Sequence, residues 1–100
     1  MDMKYRVSLL PIFEQDVLRI SEALQEYPSV AKRLFEELDK KLLMLEDRPY
    51  IWPVYQTNPK FRHMLLENHS LFYMVDESNQ RVKVYRLLYG KMDAPKHLDA

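Results

Sequence analysis

The chain has 100 residues, 47% of them apolar and 30% charged, with 15 basic side chains, 15 acidic ones and no cysteine. That balance belongs to a globular protein of single-domain size and leaves no thiol for disulfides or thiolate metal sites. A net charge of zero provides no overall attraction to nucleic acid or to an acidic surface.

The first ten residues carry Asp2, Lys4 and Arg6 where a secretory leader needs an apolar run, and no stretch approaches the roughly 18 apolar residues of a membrane span. A cytoplasmic protein with no membrane partner is expected, folded as one domain over residues 1–100. Charge is unevenly spread: residues 1–59 hold 8 Lys and Arg against 10 Asp and Glu, whereas residues 60–97 hold 7 against 4. The C-terminal part is the basic one.

Lys4 to Leu9 alternates polar and apolar with period two, which predicts a half-buried strand stopped by Pro11. From Ile12 to Tyr27 the apolar positions recur at spacings of three and four, with Pro11 suited to a first helical turn, so an amphipathic helix is predicted there. Pro28 ends it. Ser29 is the predicted cap of a second helix, whose stripe of Val30, Leu34, Leu38, Leu42 and Leu45 makes a helical hairpin with the first. Asp47-Arg48-Pro49 closes that helix, and the proline-rich loop to Pro59 carries Tyr50, Trp52 and Tyr55, which predicts a loop packed down on the core.

Three strands are predicted next, Phe61 to Glu67, Leu71 to Asp76 and Val82 to Tyr89, turning at Asn68-His69-Ser70 and at Glu77-Ser78-Asn79-Gln80. The middle one is apolar on both alternating sets, as a central strand covered on both faces would be. The order strand, helical hairpin, three-stranded antiparallel meander predicts an α+β fold with the helices on one face of the sheet.

No Walker loop, dinucleotide fingerprint, zinc-type histidine pair or nucleophile elbow is present, and the single glycine, Gly90, leaves no glycine-built phosphate cradle. Neither a cofactor nor a metal is expected. Cationic and aromatic side chains of the last third remain: Lys60, Arg62, His63, His69, Arg86, Tyr89, Lys91, Lys96 and His97. Alternation puts Arg62 in register with Met64 and Leu66, and Arg86 in register with Val82, Val84 and Leu88, so both arginines fall on otherwise apolar faces. Each either pairs with a helix carboxylate, covers apolar surface with its stem, or lines an anion-binding cleft where the planar guanidinium grips a phosphate. A β-bulge would shift this register. Histidine titrates near neutral pH, which makes His63, His69 and His97 candidates for proton transfer, although each is also an ordinary structural or solvated side chain; His97 falls in a tail expected to be mobile. Tyr89, at a strand end, either packs or stacks on a base.

The chain resembles the RelE/ParE toxins of bacterial type II toxin–antitoxin systems from Tyr5 to Leu98. The resemblance is carried by Tyr5-Arg6-Val7, Asp16-Val17-Leu18, Leu45-Glu46-Asp47-Arg48-Pro49, Arg62, Tyr73 to Glu77, Val82-Lys83-Val84 and Tyr89-Gly90-Lys91-Met92-Asp93, in order. It implies a growth-inhibiting toxin neutralised by an antitoxin that folds across its cleft and that alone would bring it to operator DNA. RelE-like members cleave messenger RNA on the ribosome, and ParE-like members poison DNA gyrase. Arg62 and Lys91 match basic positions of the family, whereas Met92 stands at its second basic position and Tyr89 where many relatives carry histidine. The resemblance thus implies, first, a metal-independent endoribonuclease using Arg62, Arg86 and Lys91 for charge and Tyr89 or His97 for proton transfer. A gyrase inhibitor or an inactive antitoxin-binding relative stands as the alternative.

Overall fold

The computed structural model describes residues 4–98. Among them the elements are β1 (Arg6–Leu9), α1 (Pro11–Ala23), α2 (Pro28–Asp47), β2 (Arg62–Leu66), β3 (His69–Asp76), β4 (Arg81–Tyr89) and α3 (Ala94–Leu98). The strands form one sheet in the order β1-β4-β3-β2, with β1 parallel to β4 and the other pairs antiparallel. This is the α+β arrangement that the hydrophobic periodicities predict.

Proline starts both long helices, because its fixed φ suits the first turn and its missing N–H would be unpaired there anyway. α1 stops at Ala23 rather than Tyr27: the Tyr27 N–H donates to the Leu24 carbonyl in a turn that delivers the chain to Pro28. Ser29 is not the cap of α2. Tyr27 holds that position, its carbonyl accepting from the N–H groups of Val30 and Ala31, with no side-chain cap. The β2–β3 turn is tighter than expected, since His69 and Ser70 already belong to β3 and Glu67 takes a φ of 54°.

The sheet is covered on both faces. Phe13 of α1 and Leu34, Leu38 and Leu45 of α2 pack on Met64, Leu66, Leu71, Tyr73, Val82 and Val84. On the opposite face Phe61, Phe72, Leu88 and Leu98 are buried together, with Tyr55 and Tyr85 against them. The central strand therefore buries Tyr73 on one side and Phe72 on the other, as its two apolar sets require. Opposite Phe72 and Tyr73 the register of β4 skips Tyr85, a β-bulge, so Val84 faces the helices and Leu88 faces away.

The aromatic loop is held down by its backbone. Tyr73 donates its hydroxyl to the Pro49 carbonyl at 2.7 Å, and the Arg62 guanidinium donates to the Trp52 carbonyl at 2.7 Å while lying 5.0 Å from the centre of the Tyr50 ring. Trp52 reaches the helix-side core and Tyr55 the other one. The C-terminal segment is a short helix and not a mobile tail, because Leu98 is fully buried against Phe61 and Phe72.

Candidate functional site

The open end of the sheet is built by one cross-strand pair. β3 begins at His69 and β4 ends at Tyr89, the two lie opposite each other in the ladder, and their rings stand 5.5 Å apart. Gly90 then passes under the β2–β3 turn, its N–H donating to the Asn68 carbonyl at 2.7 Å; a Cβ there would stand 3.1 Å from that oxygen, a tight contact that the turn would have to yield to by a few tenths of an ångström. Two hollows flank the pair. One of about 220 Å³ is walled by Asn68, His69, Ser70, Tyr89 and Lys91. The other, of about 420 Å³, is an apolar cleft between α1 and the strand end, lined by Ile20, Leu24, Leu87 and Met92 with Arg19 on its rim.

His69 is half-buried, and burial pushes its imidazole below the ordinary value of 6.5, which leaves it neutral at pH 7. Its Nδ1 is enclosed and has no hydrogen-bond partner. Tyr89 is 42% exposed and Lys91 is exposed, so phenol and ammonium both reach solvent beside the imidazole. The arrangement joins a proton acceptor, a hydroxyl donor and a cation on one open wall.

The remaining sequence candidates lie elsewhere. Arg86 is 7% exposed, and the bulge explains why: it is not in register with both Val84 and Leu88. Its Nε and Nη2 donate to the fully buried Asp16 at 2.8 and 2.9 Å, and its Nη1 donates to the His97 carbonyl at 3.0 Å. Asp16 also accepts the Leu87 N–H at 3.0 Å, beyond the point where β1 has left the edge of β4. Asp16, not a cleft, takes up this guanidinium and raises its pKa further. Arg62 sits four residues along β2 and two strands across from Tyr89, roughly 16 Å by strand spacing, and holds the aromatic loop. His97 is half-buried in α3 and contributes its carbonyl to Arg86. His69 is the member that the sequence under-ranked; its pairing with Tyr89 depends on the tight turn, which periodicity alone does not reveal.

A third groove, about 410 Å³, runs between α1 and α2 beside β1 and is lined by Leu9, Phe13, Val17, Leu18, Phe35 and Leu42. Leu18 is 60% exposed and nearby Leu43 64%. Glu14, Asp39 and Glu46 are the charged residues along this groove and its continuation over β1.

A comparison with solved structures matches the crystal structure of the toxin–antitoxin complex RelBE2 from Mycobacterium tuberculosis at a TM-score of 0.63 and 13% identity, covering 86% of this chain and 98% of that one. A comparison with curated proteins finds no significant match. The model of the family described as the ParE toxin of the type II toxin–antitoxin system parDE matches residues 7–94. With nearly the whole chain matched, this protein belongs to the ParE toxin family of type II toxin–antitoxin systems.

Proposed function

We propose that this toxin arrests growth by cutting messenger RNA on the ribosome, with Tyr89, His69 and Lys91 as the groups that meet the scissile phosphate. The reading is supported by the meeting of a phenol, a neutral imidazole and an ammonium on the wall of one open hollow. In that chemistry His69 takes the proton of the 2′-hydroxyl as the 2′-oxygen bonds to phosphorus. Lys91 offsets charge on the phosphorane. The bond to the 5′-oxygen breaks as Tyr89 hands it a proton, leaving a cyclic phosphate and a free 5′-hydroxyl. Arg86 and Arg62 act as positioning residues: the first locks α1, β4 and α3 together, the second fixes the loop that bridges onto β2.

The partner in this reading is a cognate antitoxin. Its apolar helix fills the groove between α1 and α2, and an extended segment pairs with the unoccupied edge of β1, the outermost strand of the sheet. The acidic rim of Glu14, Asp39 and Glu46 calls for basic residues flanking that helix. Docking on DNA gyrase is the second reading, favoured by the cleft beside Tyr89, where Met92 and Leu24 offer apolar surface.

Brief induction without antitoxin, followed by mapping of new RNA 5′ ends, tests the proposal. Cuts at a fixed position within translated codons are expected, with Tyr89→Phe or Lys91→Ala lowering cleavage by about 10²-fold. Growth arrest with intact transcripts refutes cleavage and selects the gyrase reading.

A further inference from the structure

The sheet carries a second concentration of charge far from Tyr89. Ahead of the bulge β4 alternates strictly: Val82 and Val84 are fully buried beneath the helices, so Arg81 and Lys83 stand on the other face. β1 pairs with β4 as Arg6 to Arg81 and Ser8 to Lys83, which brings Arg6 onto the same face. Two arginines directly opposite in a ladder repel each other, and a lysine two residues on adds to the field. Among the described residues no salt bridge involves them; the Asp76 carboxylate, across from Arg81 and close enough to act on Lys83, offsets only part of the three charges. The Arg81 Nε is enclosed without a hydrogen-bond partner. Asp76, opposite Arg81 in β3, is already engaged by the Ser78 hydroxyl and by the backbone and side-chain nitrogens of Asn79.

An anion completes such an array, and its neighbours say which kind. Next along this face Tyr85 stacks on Phe61 with ring centres 5.1 Å apart, and the Lys60 ammonium lies 6.0 Å from the Phe61 ring. Cations spaced by one strand repeat beside an aromatic pair suit a polymer that alternates phosphates with stackable rings. We propose that Arg6, Arg81 and Lys83 form a track for the phosphodiester backbone of RNA, with the partly exposed Tyr85 ring, backed by the buried Phe61, as a platform for one base. The track is separate from the cleavage hollow and rests on the cleavage reading only for the choice of RNA as the polyanion.

Binding is read without cleavage, by fluorescence anisotropy of a labelled oligouridylate of about 20 nucleotides, with an RNA hairpin of similar length as second probe. Each phosphate contact contributes about 0.7 to the slope of log affinity against log salt, so Arg6→Gln/Arg81→Gln/Lys83→Gln is expected to lower the slope by about 2 and weaken binding about 100-fold near 0.1 M salt. Its thermal midpoint stays the same or rises, since a like-charge pair is relieved; each single variant is expected to lose about 5-fold. Preference for the oligouridylate identifies a single strand as the natural occupant and preference for the hairpin a folded RNA; both support the track. Lys32→Gln/Arg33→Gln/Lys40→Gln on the exposed side of α2 makes the same charge change and is expected to leave binding unaltered. Equal losses in the two triple variants, or no loss in the first, overturn the proposal. So does a polyglutamate peptide that binds this face when RNA does not. Persistent oligouridylate binding in a chain that never cleaves messenger RNA would refute the cleavage reading and leave the track standing.

Discussion

Removing Asp16 is expected to do more damage than any single truncation in the apolar core. In Asp16→Ala the Arg86 guanidinium keeps its bond to the His97 carbonyl but loses both of its hydrogen bonds to the carboxylate, and the Leu87 N–H loses its acceptor inside the fold. Breaking a buried pair from one side costs about 3–5 kcal/mol and orphaning a buried N–H about 1–3, so an overlapping total of about 4–6 kcal/mol is expected. At a slope of about 1.3 kcal/mol per molar urea for a chain of this size, the unfolding midpoint falls by roughly 3–5 M, followed through the fluorescence of Trp52. Asp16→Asn retains an acceptor for Leu87 and should lose about half as much. Asp16→Leu/Arg86→Met removes both charges and should recover most of the loss, because an apolar pair of similar size replaces a buried ion pair at little net cost. If Asp16→Ala stays within about 1 kcal/mol of the parent chain, the pair is not what joins α1 to β4 and the reasoning fails.

Gly90→Ala pushes a Cβ to 3.1 Å from the Asn68 carbonyl; the turn must shift by a few tenths of an ångström, with an expected loss of about 1 kcal/mol in thermal unfolding and a larger relative loss of RNA cleavage, since Tyr89 moves with it. Glu77 accepts hydrogen bonds from Tyr50, Tyr5 and Gln80, which hold its carboxyl below the ordinary value of 4.5. Its depressed folded pKa means the contribution is present above pH 4.5 and fades as pH falls through the folded value, so Glu77→Gln should flatten the acid limb of a stability titration, and an unchanged limb would refute the assignment. Leu18→Arg in the groove between α1 and α2 should leave the melting temperature and toxicity intact while abolishing rescue of growth by co-expressed antitoxin; full rescue would move the docking site elsewhere.

Much of the fold was legible because burial imposes period on sequence: the alternation of residues 4–9, the leucine stripe of α2 and the doubly apolar Leu71–Val75 all lie where the pattern puts them. The site was less so. The partner of Arg86 lies 70 residues away on another element, and a single skipped residue, Tyr85, decides which way that arginine points. His69 looked like a turn residue because Asn68 and Ser70 flank it, yet a two-residue turn starts β3 there and sets the imidazole against Tyr89. Side-chain pairing across strands is tertiary information, and local propensity carries none of it.

The parallel pairing of β1 with β4 also sets an order of events during synthesis. Residues 6–9 leave the ribosome well before the strand beside them, residues 81–84, which follows 75 positions later. At about 5–20 residues per second, the gap is roughly 4 to 15 s, during which the sheet cannot close. Until residues 81–87 have emerged, β1 has no strand to pair with and Asp16 of α1 has neither Arg86 nor the Leu87 N–H to hold, so the helical hairpin waits without the sheet it covers.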